Sequence, residues 1–348
     1  MKIQLFSHKS TRGRLSRRRF LFKSAYATAA VASCFAVSSC KQEQQEKDIS
    51  SKYRHRKALI VDKPDEGVLA KVRDAGFGGV EAGIVSPAEA AKARKVAEEL
   101  GIRIHSVMRG WAKFNSADRD EVQKSLAVTV DALYAAEAYG ADDILLVPGR
   151  IDVLPMPEPW EFSIRFDEKT GHLISAAGGQ NNRYEEYIAA HNRAFDAFQA
   201  AIRGLIPRAE KTGIVIAIEN VWSNLFVDAA HMAWFIDSFE SRWVRAYFDI
   251  GNHVKYSRPE QWISVLGKRI FKCHVKDFKL NRDGHGGKFV NIGEGSVNWP
   301  GVMKALKDVG YNGWMTVEGS NKLSMAERSR RLECIIAGEQ IAGVGVQA

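Results

Sequence analysis

Along most of the chain, short apolar runs rich in β-branched residues alternate with longer stretches whose apolar positions recur every three or four residues. The first pattern suits a buried strand and the second an amphipathic helix. Strands are expected at 57–62, 78–82, 102–108, 142–147, 214–219, 244–249, 270–274 and 314–318. Helices are expected at 65–75, 87–100, 118–139, 184–211, 229–239, 259–266, 299–309 and 324–341. Local punctuation agrees: Ser86 and Pro87 form a cap-then-proline start, and Gly76 and Gly101 stand where helices should stop. Regular βα alternation implies an α/β fold with a parallel sheet. Eight such units, at about 31 residues each, would close into a barrel of about 250 residues. One stretch, 150–183, loses its periodicity and gathers Pro155, Pro157, Pro159, Gly171, Gly178 and Gly179, as expected of a functional loop or lid.

Charge changes the picture only at the N-terminus. The 348 residues carry a formal net charge of +9, but residues 1–50 hold ten Lys and Arg against three acids, leaving 40 against 38 elsewhere. A nearly neutral body argues against a phosphate-backbone binder, so no nucleic-acid partner is expected. Arg17 and Arg18, followed by Phe20-Leu-Phe22 and an Ala-rich stretch at 25–37, resemble a twin-arginine export signal read by the Tat translocon. Val37-Ser-Ser-Cys40 resembles a lipoprotein processing box, with a lipid anchor at Cys40. These readings divide the chain into a signal at 1–40, a polar linker at 41–52 and a catalytic barrel at 53–348, in the periplasm or tethered to a membrane. Cys273 and Cys334 are too few for a disulfide framework.

Four expected strands in the C-terminal half end in metal-binding side chains: Ile214-Val-Ile-Ala-Ile-Glu219, Val244-Arg-Ala-Tyr-Phe-Asp249, Ile270-Phe-Lys-Cys-His274 and Trp314-Met-Thr-Val-Glu318. The intervals are 30, 25 and 44 residues, each long enough for a strand and a helix, the last with a loop insertion. Parallel strands with right-handed crossovers bring their C-terminal ends to one face, so these side chains can converge. Any one of them also suits a solvated strand end or an ion pair. Four in succession point to one metal site, because charged groups are rare at buried strand ends. Three carboxylates and an imidazole suit one divalent ion, Mn²⁺ first, with Co²⁺, Zn²⁺, Mg²⁺ or Fe²⁺ as alternatives.

Around these ends, Ile218-Glu219-Asn220, Phe248-Asp249-Ile250-Gly251-Asn252-His253, His274-Val275-Lys276-Asp277, Gly293-Glu294-Gly295 and Gly313-Trp-Met-Thr-Val-Glu318 resemble the sugar isomerase and epimerase superfamily built on the xylose isomerase-like TIM barrel. Its relatives include D-tagatose 3-epimerase, hydroxypyruvate isomerase and inosose dehydratase, and the resemblance covers roughly residues 57–340. It implies a (β/α)8 TIM barrel in which Glu219, Asp249, His274 and Glu318 bind the metal and the two glutamates flank the reacting carbon as the catalytic pair. Removing a proton beside a carbonyl leaves an enediolate, which a cation stabilises while carboxylates carry the proton. Return of the proton to the opposite face makes an epimerase. Its return to the neighbouring carbon makes an isomerase, and loss of a β leaving group makes a lyase.

The expected substrate is a small unphosphorylated carbohydrate, since an exported enzyme seldom meets phosphate esters. A β-eliminating lyase on a 3-keto-glycoside is the nearest alternative; an endonuclease IV-like phosphodiesterase and a non-catalytic carbohydrate-binding protein are more distant. Substrate contacts are expected from His253, Lys276, His105 and Glu81, each weighed against an ordinary structural role. His285, Trp111 and Trp222 are further candidates for pocket walls. Cys273 alternates with His274 and should face the helix layer.

Overall fold

A computed structural model describes residues 56–179, 181–339 and 341; the residues read in the sequence as an export signal, a lipid-anchor cysteine and a linker lie outside them. In chain order the elements are β1 (Arg56–Val61), α1 (Glu66–Asp74), β2 (Gly79–Ala82), α2 (Pro87–Glu99), β3 (Arg103–Trp111), α3 (Arg119–Tyr139) and β4 (Asp143–Val147). A small hairpin, β5 (Arg165–Phe166) and β6 (Leu173–Ser175), precedes α4 (Glu185–Thr212), β7 (Val215–Glu219), α5 (Ala229–Asp237), β8 (Val244–Asp249), α6 (Pro259–Leu266) and β9 (Ile270–Val275). A second hairpin, β10 (Asp277–Leu280) and β11 (Gly287–Val290), is followed by α7 (Trp299–Asp308), β12 (Trp314–Val317) and α8 (Met325–Ile336). Eight parallel strands close in the order β1-β2-β3-β4-β7-β8-β9-β12, with β12 returning to β1.

Residue alternation sorts the strands into two cores. Val80, Ile104, Ile144, Ile216, Phe248, Cys273 and Met315 point outward and join the buried helix faces, including Leu69, Leu133, Phe195, Trp262, Leu306 and Leu332. The barrel interior is divided by chemistry. Toward β4, β7 and β8 it is packed with Leu145, Val147, Val215, Ala217 and Tyr247. Its other half holds buried Glu81, His105, Asp143, Lys272, His274 and Thr316. There Lys272 Nζ pairs with Asp143 at 2.6 Å and bonds the His105 carbonyl, so the buried cation is compensated. Burial, opposed by Lys272, pushes Asp143 up to about 7.

Helix ends follow the sequence cues. Ser86 and Glu89 form a reciprocal capping box on α2. Gly140 and Gly213 terminate α3 and α4 in the left-handed conformation that glycine adopts without strain. No described helix is long and apolar enough to cross a membrane.

Three expectations change. β3 extends to Trp111 rather than stopping at residue 108, because it pairs with β4 through Val147 across a register shift. The last helix ends at Ile336, five residues early, followed by Gly338 at φ 73°. The loop at 150–183 contains β5–β6, which is fastened to its neighbours. His231 Nε2 donates to Gly171 O at 2.7 Å and Trp234 Nε1 to Glu168 O at 2.9 Å, while Asn192 bonds both backbone groups of Leu173. The long last interval is filled by β10–β11. The two excursions meet where Trp160 stacks on His285, with centroids 4.2 Å apart.

Gly79 is required by close packing. A Cβ there would stand 2.5 Å from the Trp314 ring and 2.9 Å from Arg103 O. Gly79→Ala should therefore destabilise the barrel by about 1–3 kcal/mol, measured by urea unfolding. An unchanged midpoint would show that Trp314 moves aside freely.

Candidate metal centre

The four strand-end residues meet. Glu219 closes β7, Asp249 closes β8, His274 lies near the end of β9 and Glu318 follows β12. One ligand atom from each lies within 4.8 Å of the others. His274 Nδ1 is 3.4 Å from Glu219 Oε1, 3.1 Å from Glu318 Oε2 and 3.9 Å from Asp249 Oδ2.

The surrounding residues fix these groups from behind. Glu81 Oε1 lies 3.1 Å from His274 Nε2. A proton held on Nε2 by that carboxylate leaves the Nδ1 lone pair for a metal. Asn220, beside Glu219 in sequence, accepts Asp249 N–H at 2.6 Å and donates to Asp249 O at 2.8 Å. Asn252 N–H donates to Asp249 Oδ1 at 2.6 Å, and its side chain reaches Glu219 Oε1 at 3.3 Å. Lys276 Nζ bonds Glu318 Oε1 at 2.9 Å. The chain can turn here because Gly251 passes against β9, where a Cβ would stand 2.6 Å from Lys276 O.

The electrostatics call for a cation. Burial raises Asp249 well above its usual carboxylate range, and neighbouring Glu318 and Glu219 add to the shift against Lys276. Burial also raises Glu219, opposed by His274. Glu318 goes the other way: His274 and Lys276 outweigh its burial and hold it low. Burial alone would lower His274, but Glu81, Glu219 and Glu318 hold its imidazolium well above the usual histidine range. The buried Asp249 Oδ2 accepts no hydrogen bond, and Glu318 Oε2 faces only His274 Nδ1 at 3.1 Å. Two buried carboxylates and a half-buried one, an orphaned oxygen on Asp249 and an imidazole tautomer set from behind fit a divalent ion.

Of the other residues singled out in the sequence, Lys276 joins the centre through Glu318. Glu81 is fully buried against His274, behind the quartet rather than at an open rim. His105 lies a layer deeper: its nitrogens are 3.1 Å from Lys272 Nζ and from Thr316 Oγ1, both two residues before a ligand on their strands, and its ring stacks on Trp314. His253 is buried, with Nε2 donating to Phe226 O at 2.6 Å and Nδ1 accepting from Asn220 at 3.2 Å. Burial lowers it to about 3, so the ring is neutral and braces Asn220. Trp222 is engaged by Phe289, Phe278 and the Lys255 ammonium. Trp111 lines a cavity of about 500 Å³ with Asn115 and Arg150.

The sequence assigns no role to Asn220 or Asn252; their usable signal is an amide one residue after Glu219 and another three residues after Asp249, each close to a carboxylate strand end. The Gly293-Glu294-Gly295 segment also finds its reason. Asp277 Oδ2 accepts the N–H groups of Gly293 at 2.8 Å and Gly295 at 3.1 Å, and a Cβ at residue 295 would stand 2.0 Å from Asp277 Oδ1. Glu294 pairs with Arg331 at 2.8 Å. The segment therefore clamps the base of β10–β11, just beyond Lys276.

The model of the xylose isomerase-like TIM barrel family matches residues 69–333, and the chain belongs to that family. Among curated relatives, the rhizopine catabolism protein MocC of Rhizobium meliloti is 23% identical over 286 residues, covering 76% of this chain and 77% of MocC. An uncharacterized protein of Methanocaldococcus jannaschii is 27% identical over 123 residues, but that match spans only 34% of this chain and 41% of the relative. The fold is shared with 3-keto-D-glucoside 4-epimerase YcjR from E. coli at a TM-score of 0.60 and 14% identity, covering 82% of this chain and all of that one. It is also shared with the IOLI protein, whose structure contains a zinc atom, at 0.60 and 13%, covering 82% and 99%.

Two outcomes follow for the centre. Glu81→Gln should weaken Mn²⁺ binding by about 10–100-fold, measured by isothermal titration; full parental affinity would remove Glu81 from the positioning of His274. The raised Asp249, Glu219 and His274 stabilise the metal-free fold while protonated, and that contribution is lost as pH rises through their folded pKa values. Glu318, held low, loses its contribution only in strong acid. The thermal-midpoint gain from saturating Mn²⁺ over chelated protein should thus widen as pH rises from about 5 to about 8, above the ordinary carboxylate range. A constant gain would contradict this coupling.

Proposed function

We propose that the protein is a metal-dependent carbohydrate isomerase or epimerase that moves a proton beside a carbonyl. The observation that carries this reading is the placement of Glu219 and Glu318 in one quartet with Asp249 and His274, each glutamate having a second oxygen beyond the one offered to a metal. The family membership and the epimerase named among its structural neighbours support it.

Glu219, Asp249, His274 and Glu318 would hold one divalent ion, Mn²⁺ suiting the donor set best. When bound, that ion supplies Lewis-acid stabilisation of an enediolate and fixes the orientation of the substrate oxygens. The chain's own groups do the rest. One glutamate removes the proton from the carbon next to the carbonyl, and the other returns it to the opposite face or to the adjacent carbon. Asn252 steadies the Glu219 carboxylate and Lys276 that of Glu318, so neither has to reorient as it changes charge. Asn220 holds Asp249 by two bonds and keeps the quartet in register. In this reading Lys276 contacts the substrate, while Glu81, His105 and His253 act from behind or below the site. The protein works after export, either free in the periplasm or held by lipid at Cys40.

In D2O, the Mn²⁺-loaded protein should exchange solvent deuterium into a ketose substrate, followed by NMR across a panel of ketoses, without cleavage of a carbon–oxygen bond. Glu219→Gln and Glu318→Gln should each slow exchange by about 10²–10⁴-fold. An unsaturated product would replace this reading with β-elimination. Exchange undiminished in both variants would refute the glutamate pair.

A further inference from the structure

The rim beyond β3 and β4 carries a groove that the proton chemistry does not use. Between Met108 and Gly110 the pairing of β3 with β4 shifts by one residue, leaving Arg109 unpaired as a bulge, and Gly110 adopts φ 71°. Met108 packs with the interior group of Leu145 and Val147, so simple alternation would turn residue 111 toward the helix layer. The bulge instead sets Trp111 level with Val147, and its ring stays 44% exposed at the strand's end.

This arrangement is costly to hold. The Arg109 guanidinium is buried, and among the described residues its hydrogen bonds run only to neutral groups: Thr129 Oγ1 at 2.7 Å, the Ser125 carbonyl and hydroxyl at 2.7 Å each, and the Trp111 carbonyl at 2.9 Å. A buried charge without an opposite one lowers stability. An exposed indole fastened by such a group calls for a use outside the packing of the fold.

Trp111 opens onto the cavity of about 500 Å³. A second cavity of about 420 Å³ has Asn115, Ser116, Arg150 and Asp152 in common with the first and extends to Arg193 on α4. Together they form one groove. Its floor is closely fitted: Asn115 Nδ2 donates to Arg150 O at 3.1 Å, and a Cβ at Gly149 would stand 2.3 Å from Asn115 Oδ1.

Charge and hydrogen bonding decide what the groove takes. Its walls pair Lys113 with Glu121 at 2.7 Å and bring Arg150 to 3.9 Å from Asp152, so opposite charges nearly cancel until Arg193 at the far end. A nucleic acid or another polyanion needs a cationic track instead. Sugar hydroxyls both donate and accept, which suits a wall that mixes guanidinium, carboxylate, hydroxyl and amide. Arg150 stacks 5.0 Å over one face of the Trp111 ring and leaves the other as an apolar platform for the C–H face of a pyranose.

We infer that this groove binds a neutral oligosaccharide, one sugar stacking on Trp111 and the next running past Asn115 and Asp152 toward Arg193, independently of the metal centre. None of Glu219, Asp249, His274 and Glu318 lines either cavity. The groove therefore holds a glycan chain at the rim and takes no part in the reaction.

The test uses the full chain in isothermal titration, both Mn²⁺-loaded and chelated. Maltotriose, cellotriose, xylotriose and mannotriose serve as neutral probes, trigalacturonate as an anionic one and D-glucose as the monomer. At least one neutral trisaccharide should bind about tenfold more tightly than D-glucose, with and without the metal. Trp111→Ala and Arg193→Ala should each reduce that gain, and Trp111→Phe should keep most of it. Circular dichroism and Mn²⁺ stoichiometry show that each variant is folded. The inference is overturned if no neutral trisaccharide outbinds D-glucose, if the gain survives intact in Trp111→Ala or Arg193→Ala, or if trigalacturonate outbinds every neutral probe. Loss of trisaccharide binding on chelation would place the glycan at the quartet, sinking this inference and leaving the proposed function standing.

Discussion

Mutual repulsion among three clustered carboxylates, two buried and one half-buried, is the constraint around which this site is arranged. Two unit charges 4.8 Å apart repel by roughly 3–4 kcal/mol at an effective dielectric of about 20. Three such pairs approach about 10 kcal/mol, comparable with the whole stability of an ordinary domain. The fold meets this through His274 in the middle, Lys276 at Glu318, the Asn252 backbone N–H at Asp249 and its side-chain amide at Glu219. The opposite directions taken by Glu219 and Glu318 reflect an unequal sharing of charge, with the ionised form favoured at the residue nearest the lysine. A structural protein would gain stability by replacing these groups with apolar ones. Their presence marks a cluster whose donor set fits a cation.

The barrel makes this concentration of charge tolerable. Strand closure fixes where each of the four side chains stands, so the quartet is assembled by the fold itself. Beneath the quartet the polar half of the interior continues through Thr316, His105, Lys272 and Asp143, whose polar contacts are met internally. The apolar half, around Tyr247 and Val215, provides the close packing that holds this column in place.

Much of the architecture was legible in the sequence because period and punctuation are local signals. Strand ends carrying Glu219, Asp249, His274 and Glu318 are visible as apolar runs stopped by a metal-binding residue, and parallel topology accounts for their convergence. What the sequence does not display is depth. Glu81 and His105 both precede a strand's end, yet one backs His274 and the other stacks on Trp314, since a register shift between β2 and β3 changes which residues look inward. His253 reads as a site histidine, but its ring nitrogens serve Phe226 and Asn220. The loop at 150–183 carries no periodic signal because its order comes from α4 and α5, through Asn192, His231 and Trp234, rather than from its own apolar pattern.

The stacking of Trp160 on His285 joins a loop that follows β4 to a hairpin that follows β9. In the barrel's circular order those strands are separated by β7 and β8, whose ends carry Glu219 and Asp249. The joined tips therefore make an arch over half the ring, and a molecule travelling along the barrel axis has to part them or pass beside them. An aromatic contact of this kind is worth about 0.5–1.5 kcal/mol beyond its buried area, while even a millimolar ligand gains about 4 kcal/mol on binding. Such a keystone costs less to open than even a millimolar affinity returns.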